Sequence, residues 1–441
     1  MKPKVFISIF RYACERRELD ARRILEFFKQ NNYPIVYNAE KADVIVYISC
    51  GIIEKNTEAS LAEIRELQKY NARLIVGGCV TDIDTLRLRA VHSGETFSTK
   101  NLAALDDLFP GEQYPFNSIS DANCRYRLPQ KTIWAGRLLP VIEAIPGVGH
   151  LFRMIVRIRT TSVFGEYSFA YLGAVGLEKC HYVRIADGCL SNCSYCAVPA
   201  AIGRLRSKSA SQCIDEFKQG LDSGCKNITI TADDTGVWGA DLAAAEAGNN
   251  EASNIAELLG QMVSCGDEHG YSQYAIVLSG LNPASLWRHL DSLPEVFMHP
   301  AFRCVVVPVQ SLNKRLLTLM RRFSDIDKIR DSLCALRTAS PSLWISTHIL
   351  VGFPSETEDE FWETLFSWER LPFDEGQFFA YSFKPGTPAE MIGGRLEEEE
   401  IRRRMRTAHD YCKRKRYACF FRDYELLLVS KKPVRGANNG S

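Results

Sequence analysis

The chain has 441 residues, 46% hydrophobic and 24% charged, the balance of a globular protein long enough for two or three domains with their own cores. A net charge of +1 excludes a global field steering it to nucleic acid, so any RNA site has to be a local patch. No apolar run approaches the roughly 20 residues of a membrane span, and 15 cysteines without a signal-peptide pattern at Met1–Phe10 point to a reducing, cytoplasmic setting.

Residues 1–110 alternate strand and helix patterns. Lys4–Phe10, Ala42–Ser49 and Arg73–Gly78 read as strands, Arg17–Gln30 and Glu54–Tyr70 as helices. Near-continuous apolar strands joined by helices imply an open parallel α/β domain. Cys14, Cys50 and Cys79 each fall at or just past the carboxyl end of a successive strand. In an open parallel sheet those ends share one edge, where ligands bind, so the three cysteines are expected to converge. Any one alone would read as a small core residue. All three together, with Gly77-Gly78 admitting close backbone approach, read as a metal site.

Residues 111–179 read as a linker plus an insertion. Ala144–His150 is a Gly/Pro hinge, and Leu151–Val156 and Tyr167–Leu177 form a hairpin pattern around Gly165. Cys124 and Cys180 stand outside ligand spacing and read as structural.

The chain then enters the short apolar run His181–Ile185, followed at once by Cys189-Leu-Ser-Asn-Cys193-Ser-Tyr195-Cys196. Three thiolates at this spacing can point at one centre, and soft thiolates favour an iron–sulfur cluster or zinc. Zinc wants a fourth ligand, and Cys180 and His181 lie on the far side of the strand. Three cysteines in eight residues cannot all pair locally, and their Gly, Ser and Asn neighbours are not core residues. A cubane with one iron left open for a non-protein ligand fits best.

From residue 180 to 395 the rhythm is regular. Strands are expected at His181–Ile185, Asn227–Thr231, Tyr274–Ser279, Arg303–Val307, Trp344–Leu350 and Gly376–Tyr381. Helices Ala210–Ser223, Ser253–Cys265, Asp325–Thr338 and Glu358–Glu369 fall between them, and Asp241–Glu251 reads as a surface loop. Six such units curl into a (β/α)6 partial TIM barrel with its chemistry at the carboxyl ends of the strands. Residues 396–441 read as a helix to about 418, acidic at its start and basic later as the helix dipole favours, and a short tail with a strand at Tyr424–Val429.

The cysteine loop resembles that of radical S-adenosylmethionine (SAM) enzymes, including Tyr195 before the third cysteine. Gly203-Arg204-Leu-Arg206-Ser207, Asp233-Asp234-Thr235-Gly236, Val307-Pro308-Val309-Gln310-Ser311 and Met320-Arg321-Arg322 follow in order. Val351-Gly352-Phe353-Pro354-Ser355-Glu356-Thr357 and Pro385-Gly386-Thr387-Pro388 complete the set. Together they are similar to the methylthiotransferase family, which inserts sulfur into unreactive C–H bonds. Tyr47-Ile-Ser-Cys50 with Glu54-Lys55, and Val76-Gly-Gly-Cys79, are similar to the family's amino-terminal domain, which holds a second 4Fe–4S cluster. Two departures stand out: Ala13-Cys14-Glu15-Arg16-Arg17 replaces a usual Gly-Cys-Gln-Met-Asn, and Ile48-Ser49-Cys50 a usual Asn-Thr-Cys.

The resemblance implies two 4Fe–4S clusters and SAM as cofactors. In the resembled enzymes an electron from the open-iron cluster breaks a C–S bond of SAM, and the resulting 5′-deoxyadenosyl radical removes hydrogen from carbon. Cys189, Cys193 and Cys196 would ligate that cluster and Tyr195 pack beside it and the adenine; Cys14, Cys50 and Cys79 would ligate the other. Asp233, Asp234 and Thr235, at a strand end, should reach the methionine end of SAM or the substrate, and Ser279, Asn282 and Gln310 its ribose. Arg204 and Arg206 would bind a carboxylate, or a phosphate if the substrate is RNA. A flavodoxin or ferredoxin is the expected electron donor. The Asp233–Gly236 stretch is similar to one in the branch acting on a tRNA adenosine, although a related Asp-Thr pair occurs in the branch that modifies a ribosomal-protein aspartate; a tRNA adenosine, the commonest substrate of the resembled family, leads by a narrow margin. A peptide or small metabolite is the alternative, because the family's RNA-modifying members continue into a small β-barrel of which only a first strand is recognisable here. A non-catalytic iron–sulfur carrier is the rival class, and the SAM-site motifs argue against it.

Overall fold

The computed structural model describes residues 2–10, 13–121, 123, 180–242, 254–271 and 274–422. The hinge and hairpin expected between 144 and 177, Cys124, most of the 241–251 loop and the strand expected at 424–429 lie outside the described residues. No described helix is long and apolar enough to cross a membrane.

The first sheet has strands β1 (Val5–Ile9), β2 (Val44–Ser49), β3 (Arg73–Gly78) and β4 (Glu95–Thr96), side by side in that order and all parallel. Every residue of β2 is buried, as a strand covered on both faces requires. Helix α1 (Glu15–Gln30) lays Ala21, Ile24, Phe27 and Phe28 on the sheet. Phe28 meets Phe109 edge to face at 4.9 Å, and Phe27 meets Phe116 at 5.7 Å. Helix α2 (Glu54–Leu67) buries Leu61, Ile64 and Leu67 against Ile45, Tyr47 and Val76.

The second sheet has seven parallel strands in the order β13-β12-β11-β10-β9-β8-β5, an open partial barrel. Its members are β5 (Cys180–Arg184), β8 (Asn227–Thr231), β9 (Ala275–Ser279), β10 (Phe302–Val306), β11 (Trp344–Val351), β12 (Glu375–Ala380) and β13 (Ala418–Arg422). A short antiparallel pair, β6 (Ala186–Asp187) and β7 (Arg206–Ser207), ties the two ends of the cysteine loop together. The six expected strands are present, and β13 is an addition. The carboxy-terminal helix stops at Lys415, Arg416 takes a left-handed conformation (φ 57°), and the chain pairs along β12 instead of continuing as helix to 418.

The two sheets dock through buried charge. Arg184 of β5 binds Asp121 with two N–H groups (3.0 and 2.8 Å) and Asp20 of α1 with a third (2.6 Å). Asp20 also pairs with Arg17 at 2.8 Å, and Lys208 reaches Asp121 at 3.0 Å. Arg184 is 3% exposed, so its charge is tolerable only because Asp20, Asp121 and Asp187 surround it. A second tie is Lys384, 2% exposed, whose ammonium donates to Thr57 Oγ1 of α2 (2.6 Å) and stands 3.5 Å from Glu54.

Candidate active site

The amino-terminal thiols are set by three strand or helix ends. Cys14 caps α1 with extended backbone, Cys50 follows β2 and Cys79 follows β3. Gly78 makes the last two neighbours. It has φ 94°, and a Cβ there would lie 2.2 Å from the Ser49 carbonyl oxygen. The strands therefore close on Ser49, whose carbonyl accepts from the Cys79 N–H (3.0 Å) and whose Oγ donates to the Gly77 carbonyl (2.6 Å). The first of these bonds sets Cys79 beside the end of β2, and Cys50 and Cys79 are buried while Cys14 is exposed at the start of α1. Burial pushes the Cys50 and Cys79 thiols up, and Asn56 Nδ2 donates to Cys50 Sγ at 3.3 Å.

In the barrel, β5 delivers the chain to Gly188 (φ 77°), where a Cβ would strike the Arg204 carbonyl at 2.2 Å. The loop beyond it folds back around its own sulfurs. The Ser191 N–H donates to Cys189 Sγ (3.3 Å), the Val198 N–H to Cys196 Sγ (3.4 Å) and Arg322 Nη1 to Cys193 Sγ (3.5 Å). Burial raises the Cys189 thiol and lifts that of Cys196 to about 12, with Cys193 close enough to add to both. Each of the three thiols has an N–H donor, and soft thiolates so supported suit an iron–sulfur cluster. No three His, Cys, Asp or Glu side chains among the described residues gather tightly enough to ligate one ion. A cubane does not ask for that, because it holds its thiolates on separate corners.

Beside this loop, Asp234 Oδ2 and Thr235 Oγ1 are buried without a hydrogen-bond partner among the described residues. Asp234 Oδ1 accepts from the Gly236 N–H (3.1 Å), and burial raises its carboxyl despite Arg322 and Asn282 nearby. Two such buried oxygens make a cradle suited to a polar, cationic group. Asn282 caps the helix that follows β9 and approaches Ser191 Oγ at 3.5 Å. Tyr195 stacks edge-on to Phe353 at 6.5 Å, which gives the Gly352-Phe353-Pro354 motif a wall to build. Gln310 sits in a left-handed conformation (φ 71°), unusual for a residue with a side chain, between β10 and the end of β11.

Other expected residues have different company. Asp233 is fully engaged: Oδ2 accepts from the Gly188 N–H (2.9 Å), and Oδ1 pairs with Arg16 Nε (3.1 Å). Ser279 lies under Glu15, whose Oε1 accepts from Thr231 Oγ1 (2.6 Å) and from Ser279 Oγ (3.5 Å). The first turn of α1 thus covers the ends of β8 and β9. Arg204 and Arg206 are exposed, Arg206 donating to the Ile202 carbonyl, so the structure does not gather them with the cradle. Sequence reading assigned no role to Glu15, Arg16, Asn56 or Lys384, although the first two had already marked themselves as departures from the family pattern. The triads are neighbours: Cys79 packs with Ala201 and Ile202 of the short helix after Cys196.

Residues 183–367 match the family model described as the Radical SAM superfamily, and residues 5–97 that described as Uncharacterized protein family UPF0004. The ribosomal protein uS12 methylthiotransferase RimO of Desulforamulus reducens is 26% identical over 425 residues, spanning 91% of this chain and 81% of that protein. Its counterpart in Herpetosiphon aurantiacus is 27% identical over 412 residues, spanning 91% and 82%. Along nine-tenths of its length the chain is thus similar to radical SAM methylthiotransferases. SAM and 4Fe–4S chemistry are what the Radical SAM match brings with it. A solved structure of the radical SAM methyltransferase TsrM from Kitasatospora setae, with cobalamin and a 4Fe–4S cluster bound, superposes with TM-score 0.57 at 13% identity, covering 88% of this chain and 77% of that one. That likeness concerns the fold alone.

Proposed function

We propose that this chain is a radical SAM methylthiotransferase acting on a C–H bond of a protein side chain, with Cys189, Cys193 and Cys196 holding the SAM-binding cluster and Cys14, Cys50 and Cys79 a second one. The observation that supports the two-cluster reading is the packing of Cys79, from one triad, with Ala201 and Ile202 of the helix that follows Cys196 of the other. When bound, the barrel cluster and SAM together supply one-electron cleavage and hydrogen abstraction at an unreactive carbon. The chain's own part is positional. Asp234 and Thr235 offer acceptors to the methionine end of SAM, and Tyr195 and Phe353 wall the loop. Glu15 and Arg16 close the strand ends against water. Cys14, Cys50 and Cys79 would hold the cluster that supplies the sulfur. Electrons would come from a flavodoxin or ferredoxin.

A protein substrate is supported by the relatives, which carry the name of a uS12-modifying enzyme and span this chain almost throughout. The near-neutral charge points the same way, since RNA binding through several phosphates leans on a basic surface. Ribosomal protein uS12 is the first candidate. The test is mass spectrometry of ribosomal proteins and of tRNA nucleosides from cells lacking the gene. Loss of a methylthio group from a protein supports the reading; loss of a methylthio-adenosine with an unchanged protein profile moves the assignment to tRNA.

A further inference from the structure

Met320-Arg321-Arg322 has no part in the function argued so far. The helix Lys314–Leu319 ends with Arg321 left-handed (φ 55°), the Arg321 N–H on the Thr318 carbonyl (3.0 Å) and the Arg322 N–H on the Leu317 carbonyl (2.9 Å). This is a Schellman turn with arginine where glycine is usual. The turn docks on the cysteine loop: the Ser194 N–H donates to the Met320 carbonyl (3.0 Å) and Ser194 Oγ to the Leu319 carbonyl (2.8 Å). Arg322 leaves it with Nη2 fixed on the Pro308 carbonyl (2.5 Å) and Nη1 on Cys193 Sγ (3.5 Å). Its charge also acts on Tyr195 and Asp234. The other N–H donors on this triad, Ser191 and Val198, are backbone amides without net charge.

We propose that Arg322 sets the reduction potential of the barrel cluster through a charge-assisted hydrogen bond to Cys193 Sγ. The proposal rests on the reading of Cys189, Cys193 and Cys196 as cluster ligands. On reduction the site gains one electron, and a one-electron donor of the flavodoxin or ferredoxin class loses it. The added charge spreads over iron, sulfide and thiolate sulfur. No proton moves, because a guanidinium stays protonated throughout. A fixed cation bonded to a thiolate favours the reduced site over the oxidised one, so it raises the potential. Pro308 matters as the clamp that keeps the guanidinium from turning away.

The experiment is an EPR-monitored redox titration of the anaerobically reconstituted full chain, the barrel cluster being the signal that SAM perturbs. Arg322→Gln should shift its midpoint to more negative potential, and Arg322→Lys, which keeps the charge, should shift it less. Iron and sulfide contents and the SAM-perturbed signal of the unaltered chain test the ligand reading separately. If that signal is absent, the ligand assignment fails and the proposal with it. If it is present and both variants titrate with the wild type, the role of Arg322 alone is overturned. Unchanged potential with lost SAM binding would also overturn it and make Arg322 a SAM contact. Should the variants not assemble a cluster, pulsed EPR on the unaltered chain carrying isotopically labelled arginine decides: a weakly coupled arginine nitrogen is expected, and its absence overturns the proposal.

Discussion

Arg16 Nε stands 3.1 Å from Asp233 Oδ1, across the boundary between the two sheets. The other oxygen of Asp233 holds the Gly188 N–H, one residue before Cys189, so the first turn of α1 is wired to the cysteine loop. Arg16→Ala leaves a carboxylate of 4% exposure without its partner. The expected cost is about 3 kcal/mol, read as a lower urea midpoint with an unaltered slope. The variant should also lose sulfurated product more than SAM cleavage, because the contact orients one domain on the other. Equal loss of both would count against that.

Cys50→Ala should separate the two chemistries. SAM needs only the barrel triad, so reductive cleavage to 5′-deoxyadenosine persists while sulfur insertion stops. Iron and sulfide should fall from ~8 to ~4 per chain, as expected for one of two 4Fe–4S clusters. Sulfurated product from this variant would refute the assigned division.

Gly78→Ala places a methyl group 2.2 Å from the Ser49 carbonyl oxygen at a φ of 94°. Backbone must move, at a cost above roughly 2 kcal/mol. Since Ser49 precedes Cys50, the movement should empty the amino-terminal site of iron before it unfolds the barrel. Iron analysis beside circular dichroism would reveal full metal content if this is mistaken.

Glu356 gives the pH dependence. Burial raises its carboxyl from an ordinary 4.5 to about 7, outweighing the Gly352 N–H (2.8 Å) and Arg404 Nη1 (2.9 Å) that favour the charged form. Between those values the folded chain keeps a proton that the unfolded chain has released. Stability contributed by this group is therefore full below about 4.5 and declines as pH rises to about 7, on the order of 3 kcal/mol in all. Glu356→Gln should flatten that decline in denaturation series at pH 5 and 7.5. Parallel slopes for the two proteins would exclude Glu356 as its source.

The strands were legible because parallel strands buried on both faces read as apolar runs; Asn227–Thr231 agrees with β8 to the residue. Strand β13 was not, because Ala418–Arg422 becomes a strand only by pairing with β12. The cysteine loop was legible because its spacing is local. What covers Ser279 was hidden, since Glu15 reaches it from 264 residues away through a docking that no local pattern encodes. The expected helix start at Arg17 also hid the point: Cys14 caps the helix, which makes Glu15 and Arg16 its first turn and aims them at the barrel.

The packing of Cys79 on Ala201 and Ile202 makes one wall serve both triads. Any effect that filling one proposed site had on this wall would be felt at the other. Whatever factor the first cluster contributes to the affinity for the second, the second returns to the first.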